Sequence, residues 1–148
     1  MKKNIKIYTI GHSNRSLKEF IDLFKTYKIE TLVDVRRWPK STKFSHFNRE
    51  VLEHELEKAG VKYVWLGDLL GGYRPGGYEK YMETLQYKRG LELLEKIAGK
   101  KTAAIMCSEK LWFKCHRRFI SNSLVEKGYR VIHIIDKKRT QEHKLRKN

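Results

Sequence analysis

Strand and helix patterns alternate along almost the whole chain, and this alternation limits the possible folds more than any other feature. Five short runs rich in Val, Ile and Thr are separated by segments whose apolar residues recur three and four positions apart. Such alternation is typical of a parallel sheet covered by helices on both faces. We therefore predict one α/β domain over residues 1–136, with a mainly parallel sheet of about five strands.

The boundaries of the elements follow from the apolar runs and from the residues that start and stop helices. We predict strands over 5–10, 31–35, 61–66, 102–106 and 131–135. A capping box at Ser16–Glu19 starts the first helix. Further helices are predicted over 48–59, over 78–98 with a possible break near Gly90, and over 114–127. Residues 36–47 form a basic aromatic loop, and residues 67–77 form a glycine-rich loop.

The chain of 148 residues has a formal charge of +16 and is 40% hydrophobic, a composition that excludes a disordered protein. Residues 137–148 form a basic tail with six Lys or Arg and one Glu. The remaining body still carries +11, which favours an anionic ligand such as a nucleotide or nucleic acid. A lysine-rich solvated surface is the alternative interpretation of this charge.

The sequence does not favour a membrane protein, a secreted protein or a protein with a nucleotide cofactor. No apolar run reaches the roughly 20 residues of a membrane span, and the start of the chain does not look like a secretory signal. With two cysteines, we expect a cytoplasmic protein with reduced thiols and no membrane partner. Neither a Walker A loop nor a dinucleotide fingerprint is present, so no cofactor is predicted. The oligomeric state is not indicated.

The chemically reactive residues follow the predicted strands, where open α/β sheets bind their ligands. Four loops should meet at this edge of the sheet, and together they indicate a functional site. They are Gly11–Ser13 after the first strand, Asp34–Trp38 at the second, Gly67–Gly77 after the third, and Cys107–Arg118 after the fourth.

The segment Cys107–Arg118 contains both cysteines and is the centre of the predicted site. A helix start at Cys115 and His116 would lower the pKa of a thiol, so either Cys107 or Cys115 is a candidate nucleophile and His116 a candidate base. Because neighbouring residues on a helix point in different directions, we do not expect Cys115 and His116 to form the reactive pair. The alternative is that Cys115 is a small buried hydrophobic residue. Cys-x₇-Cys lacks the short spacing of zinc ligands, so no metal is predicted.

Two further residues are candidates for proton transfer. Glu109 lies at a strand end, where a carboxyl group in a cleft can act as a general acid or base. His12 follows the first strand and can act as a base or orient a ligand. A salt bridge for Glu109 and a backbone hydrogen bond for His12 are the structural alternatives.

Several cations and aromatic residues are candidates for ligand binding. Asp34 is expected to pair with Arg36 or Arg37, and the basic aromatic loop is suited to stacking on bases, although its apolar residues could instead pin the loop. The candidate substrate-binding residues are Arg36, Arg37, Arg74, Tyr78, Arg117 and Arg118.

Four motifs occur together in the order found in one family. They are Thr9–Ser13, Asp34–Arg37 with Pro39, Leu70–Arg74, and Cys107–Glu109 with Cys115–Arg117. On these motifs the chain resembles the domain of unknown function 488 family, from the first strand to Ile135. The resemblance implies a compact α/β fold and a functional edge at these loops, but no established activity.

Two hypotheses of function follow. The first is an enzyme-like domain that binds an anionic, phosphate-bearing ligand at the strand ends. The second is a non-catalytic nucleic-acid-binding protein that uses the basic aromatic loop and the basic tail. An interaction or scaffolding role without chemistry is a third possibility.

Overall fold

The computed structural model describes residues 5–145, which form one six-stranded sheet and six α-helices. Single turns of 3₁₀ helix occur at Ser45–Phe47 and Trp112–Lys114. The strands are β1 (Lys6–Gly11), β2 (Thr31–Asp34), β3 (Lys62–Trp65), β4 (Ala103–Cys107), β5 (Arg130–Ile134) and β6 (Thr140–Glu142). The helices are α1 (Leu17–Thr26), α2 (Arg49–Lys58), α3 (Gly67–Leu70), α4 (Tyr78–Tyr81), α5 (Leu85–Lys100) and α6 (Arg117–Glu126).

The strands are arranged in the order β3-β2-β4-β1-β5-β6. The first five strands pair in parallel, which confirms the predicted α/β fold with a mainly parallel sheet. The sixth strand pairs antiparallel with β5, after a turn in which Asp136 accepts backbone hydrogen bonds from Lys138 and Arg139. Part of the predicted tail therefore belongs to the sheet. Its last residues, 146–148, lie outside the described residues.

Two apolar layers cover the sheet, because successive residues of a strand point to opposite faces. In β4, for example, Ala103, Ile105 and Cys107 pack on one face, and Ala104 and Met106 pack on the other. Helices α3, α5 and α6 cover the first face, and α1 and α2 cover the second. Cys107 therefore lies on the α5 and α6 side of the sheet.

The helix predicted over 78–98 is interrupted at a different position from the one expected. A first turn, α4, ends at Tyr81, and α5 starts after Thr84, whose hydroxyl accepts a hydrogen bond from the backbone N–H of Tyr87. Gly90 does not break the helix. A Cβ atom at Gly90 would lie 2.8 Å from Leu70 Cδ2, so this glycine allows α5 to pack closely against α3.

The topology places a switch point between β1 and β4. From β1 the chain crosses one face through α1 to reach β2, whereas from β4 it crosses the other face through α6 to reach β5. Neighbouring strands whose connections leave in opposite directions form a topological switch point, and ligands of open α/β sheets bind there.

The capping box predicted at Ser16 and Glu19 is confirmed at the start of α1.

No helix in residues 5–145 is both long enough and apolar enough to span a membrane.

Candidate active site

An open cleft of about 600 Å³ lies at the carboxyl ends of β2 and β4. It brings together most of the residues that the sequence predicted for the site. The predicted residues in its lining are Arg36, Arg37, Tyr78, Cys107, Glu109, Cys115, His116 and Arg118. They come from three separate segments of the chain, namely 36–37, 78 and 107–118, as expected for a site at the ends of parallel strands.

A second depression of about 880 Å³ adjoins this cleft. Lys40, Ser108, Glu109 and Lys114 line both, so the two form one continuous surface. His12 lines the second depression only. The first strand can approach this surface closely because it ends in Gly11, where a Cβ atom would lie 1.7 Å from the carbonyl oxygen of Glu109.

The two cysteines meet at the floor of the cleft. Both are free thiols, and their Sγ atoms lie 2.7 Å apart. Cys107, at the end of β4, is 2% exposed, whereas Cys115 is partly exposed and lies just before α6. The pair therefore has one accessible and one buried sulfur.

His116 faces Cys115, with its Nδ1 atom 3.7 Å from Cys115 Sγ. Its Nε2 atom lies 2.9 Å from the carbonyl oxygen of Val35 and donates a hydrogen bond to it. The prediction that the two side chains would point apart was wrong, because both residues precede the first residue of α6. Cys115 has an extended backbone (φ −139°, ψ 161°), which is not helical geometry.

Cys115 has the environment of a stable thiolate. Burial alone would raise the pKa of this thiol, but hydrogen bonds from Cys107 and His116 and the positive charges of His116 and Arg117 outweigh that effect. The pKa of Cys115 therefore lies well below its ordinary value. The sulfur also accepts the backbone N–H of Arg117 at 3.2 Å, in the first turn of α6, where the helix dipole favours negative charge.

Cys107 has the opposite character. Burial raises the pKa of its thiol well above the ordinary value, and the neighbouring Cys115 sulfur raises it further. Cys107 thus stays protonated and provides a hydrogen bond to the Cys115 thiolate. The two cysteines of one pair are therefore held in different protonation states.

Arg117 lies beneath the cleft and is 1% exposed. Its Nη1 donates to Thr9 Oγ1 at 3.0 Å, and its Nη2 donates to the carbonyl oxygen of Glu109 at 2.7 Å. Arg117 was predicted to contact the ligand. In the folded protein its guanidinium instead fixes the loop after β4 and places a positive charge behind the two cysteines.

Two other arginines are also occupied by protein groups. Arg36 forms a buried ion pair with Asp34, whose Oδ2 atom accepts a hydrogen bond from Arg36 Nη2 at 2.7 Å. This confirms the ion pair expected for Asp34. Arg74 donates to the carbonyl oxygens of Gly71 and Asp68 and lies over the ring of Tyr81. It pins the glycine-rich loop and does not line the cleft, although it was predicted to contact the ligand.

The cations at the mouth of the cleft have no ion-pair partner in the described part of the chain. Lys40, Lys114 and Arg118 are exposed and form no ion pair within residues 5–145. Glu109 is the acidic residue in the lining, and its carboxylate is exposed and likewise unpaired in the described chain. The salt bridge considered for Glu109 is therefore absent among these residues. Three unpaired cations around one carboxylate leave a positive mouth.

His12 is 3% exposed and stacks on Phe47 with ring centroids 4.3 Å apart. Its Nδ1 lies 2.9 Å from the carbonyl oxygen of Ser13, the backbone bond that sequence analysis considered as the alternative. Burial lowers the pKa of His12 to about 4, so the ring is neutral near pH 7. Since Nδ1 carries the proton, Nε2 is an acceptor, and it has no hydrogen-bond partner in residues 5–145.

Aromatic residues form the walls of the cleft. The ring of Tyr78 packs beside His116 and Phe119, and its hydroxyl donates to the carbonyl oxygen of Leu70. Trp38 is 60% exposed and Tyr73 is 83% exposed, and their rings lie 5.5 Å apart at the rim. The pair offers two exposed aromatic rings, inclined by 40°, beside Arg37, whose guanidinium lies over Trp38.

Sequence reasoning did not assign roles to several residues of the site. Lys114 lies in the segment that was singled out, and the turn at Trp112–Lys114 brings it to the mouth, whereas Phe119 lies just beyond that segment in α6. Tyr73 has a positive φ of 59°, held by a hydrogen bond from Arg37 Nη1 to its carbonyl oxygen. The glycines on either side gave the only sequence signal for this unusual backbone.

No group of three or more His, Cys, Asp or Glu side chains in the described chain is arranged to hold a metal ion.

Fold and site together define a single-sheet α/β protein with a cysteine pair in a cleft beside the switch point. The chain belongs to the family described as Domain of unknown function DUF488, whose sequence profile matches residues 16–77 and 75–124. This agrees with the resemblance seen in the sequence motifs. No curated protein and no solved structure matches the chain.

Proposed function

We propose that the protein is an enzyme that uses the Cys115 thiolate as a nucleophile on an anionic ligand bound in the cleft. We expect this ligand to carry phosphate. The observation that supports the proposal is the position of Cys115 Sγ at the cleft floor, between the Cys107 sulfur, His116 Nδ1 and the first backbone N–H of α6. A thiolate stabilised in this way is nucleophilic near neutral pH.

The other residues of the cleft have roles consistent with this chemistry. Lys40, Lys114 and Arg118 would attract and orient the anion at the mouth. His116 keeps its ring fixed through its bond to Val35 and presents Nδ1 to the sulfur. Glu109 lines the same surface and is the candidate to transfer a proton to or from the ligand.

Alkylation of the thiols as a function of pH tests this proposal. We expect Cys115 to react with iodoacetamide at a rate that stays nearly constant from pH 8 down to pH 6, because its thiolate persists there. Relative to iodoacetamide, the anionic reagent iodoacetate should react faster with Cys115 than with an ordinary thiol. An R118S substitution should reduce this preference. C115S should abolish the fast reaction. A rate that falls tenfold per pH unit below about pH 8.5, as for an ordinary thiol, would contradict the proposal.

A second candidate function, nucleic-acid binding without catalysis, is supported by the exposed pair Trp38 and Tyr73 beside Arg37. Exposed aromatic rings next to cations bind single strands by stacking on bases and neutralising phosphates. Phe47, which belongs to the basic aromatic loop with Trp38, is buried and anchors that loop, so it is not available for stacking.

Binding of a fluorescent single-stranded oligonucleotide separates the two functions. Under the second function, affinity falls steeply with salt, W38A weakens it, and alkylation of Cys115 leaves it unchanged. Affinity that does not change between low and physiological salt would exclude it.

A further inference from the structure

We infer that Cys107 acts as a resolving thiol for Cys115, so that the protein exchanges with small anionic disulfides and ends with its own two cysteines joined. The inference rests on the proposed Cys115 nucleophile and goes beyond it, because it assigns an electrophile and a second chemical step.

The geometry of the two sulfurs carries the inference. They lie 2.7 Å apart, and a disulfide bond has a length of about 2.05 Å, so bond formation needs an approach of only about 0.7 Å. Cys115 lines the cleft and is accessible to a substrate, whereas Cys107 is 2% exposed. A substrate can therefore reach Cys115, and Cys107 is positioned to attack only what Cys115 has already bound.

Two thiol–disulfide exchanges make up the reaction. In the first, the Cys115 thiolate attacks one sulfur of a substrate RS–SR, which forms Cys115–S–SR and releases RS⁻. In the second, Cys107 gives its proton to the RS⁻ released in the first step, and its thiolate attacks the Cys115 sulfur and displaces the other RS⁻, which takes a proton from water. The substrate disulfide is reduced to two thiols, and the cysteine pair is oxidised to one disulfide.

The charges around the pair favour this order of events. The Cys115 thiolate raises the pKa of Cys107, whereas Arg117 lowers it. When Cys115 forms the mixed disulfide, its negative charge disappears and the guanidinium of Arg117 remains behind the buried sulfur. The first step therefore makes the Cys107 thiolate easier to form, at the stage where the second step needs it.

The cleft indicates the class of disulfide. Its volume of about 600 Å³ is that of a small-molecule site, and its mouth has the unpaired cations Lys40, Lys114 and Arg118. These features suit a small disulfide with carboxylate or phosphate groups on its organic halves. A cationic disulfide of similar size should be repelled.

The test treats the reduced full-length protein with glutathione disulfide, which carries carboxylates, and with coenzyme A disulfide, which carries phosphates. We expect the wild-type protein to release two thiols per chain, to retain no adduct by mass, and to yield a peptide pair joined between Cys107 and Cys115. Cystamine, the cationic control, should react about tenfold more slowly. The faster of the two anionic reagents identifies which anionic group the mouth prefers.

Variants separate the two steps. C107A should release one thiol and retain one substrate half on Cys115, whereas C115A should not react. If C107A forms the adduct but the wild-type protein also keeps it, the resolving role is overturned and the nucleophile stands. If C107A, shown to be folded by circular dichroism, forms no adduct, both proposals fall. The cross-linked peptide in the wild-type protein tests the same role without any substitution.

Discussion

The cleft contains polar groups without ion-pair partners in the described chain, whereas the polar groups of the cluster beneath it are hydrogen-bonded to one another. Arg117 lies between the two regions. On one side of Arg117 is the Cys115 thiolate, whose pKa its charge helps to lower. On the other side, a chain of hydrogen bonds runs from Thr9 through His133 and His143 to Asn122. We refer to these four residues as the histidine chain.

Every proton of the histidine chain has a defined position when both rings are neutral. Arg117 can only donate, so Thr9 Oγ1 accepts from it and donates to His133 Nδ1 at 2.6 Å. His133 Nε2 then donates to His143 Nδ1, and His143 Nε2 donates to Asn122 Oδ1. The indole of Trp112 stacks on His133 with ring centroids 4.5 Å apart. The histidine chain thereby connects β1, β5, α6 and the segment after β6.

The difference between the two regions is whether the polar groups have partners. In the histidine chain each ring nitrogen is paired within the protein, which indicates a structural role. At the cleft, Lys40, Lys114, Arg118 and Glu109 form no ion pair in the described chain, although Arg118 lies over the ring of Phe119, so their charged groups remain available to a ligand. Changes in the histidine chain should therefore alter stability, and changes at the cleft should alter reactivity.

Acid should destabilise the folded protein through two of its buried histidines, His12 beside the cleft and His133 in the histidine chain. Burial lowers the pKa of His12 to about 4 and that of His133 to about 3, whereas a histidine in the unfolded chain titrates near 6.5. Between these values the unfolded state binds more protons, so the free energy of unfolding falls as the pH is lowered. From pH 8 to pH 5 each of the two histidines should contribute a loss of about 2 kcal/mol. Urea denaturation at a series of pH values measures this loss.

A matched pair of histidine variants assigns the effect. H54Q changes an exposed histidine and serves as the control for a substitution outside the buried rings. H12F removes a buried ring that titrates and keeps an aromatic partner for Phe47, so it should flatten the curve between pH 6.5 and pH 5. A wild-type stability that is constant over this range would show that the buried rings are not neutral in the folded state.

Arg117 and its neighbour Arg118 allow the comparison to be made at adjacent positions. R117M removes a buried cation that donates to Thr9 and to the loop after β4, and we expect a loss of about 3 kcal/mol in the free energy of unfolding. R118M changes an exposed side chain and should cost less than about 0.5 kcal/mol. Urea midpoints measure both. Equal effects of the two substitutions would mean that burial of Arg117 does not define its role.

Buried hydroxyl groups give a finer test. T9V leaves both Arg117 Nη1 and His133 Nδ1 without their partner, and it should cost about 2 kcal/mol. Ser121 is also buried, but its hydroxyl has no partner in the described chain. S121A should therefore be neutral or slightly stabilising in thermal denaturation. A large loss for S121A would show that the buried hydroxyl makes a stabilising interaction.

The fold was largely predictable because its five parallel strands and main helices are encoded by local apolar patterns. The sixth strand was not, because Thr140–Glu142 is exposed and has no apolar pattern. Its position depends on tertiary contacts, namely the pairing with β5 and the bonds of His143 to His133 and Asn122. Gly90 was likewise misread, since its close contact with Leu70 depends on distant packing.

The location of the site was predictable for a different reason. Parallel strands bring their carboxyl ends to one edge, so loops distant in sequence must meet there. Which of the arginines face the ligand depends on orientation and burial, and sequence gave no signal that Arg117 and Arg74 bond to backbone carbonyls. The convergence of Cys115 on His116 was missed because the first residue of α6 was placed three positions too early.

The smallest effect on stability, and the sharpest test of the cleft, is expected for Lys114. K114S removes an exposed cation without an ion-pair partner in the described chain, so stability should change by less than about 0.5 kcal/mol in either direction. The preference of Cys115 for iodoacetate over iodoacetamide should nevertheless fall by about two- to threefold, because Lys114 lies at the positive mouth. K100S, at the opposite edge of the sheet, removes the same charge and serves as the control. If K100S lowers the preference equally, the net charge of the molecule, and not the local arrangement of the cleft, attracts the anion.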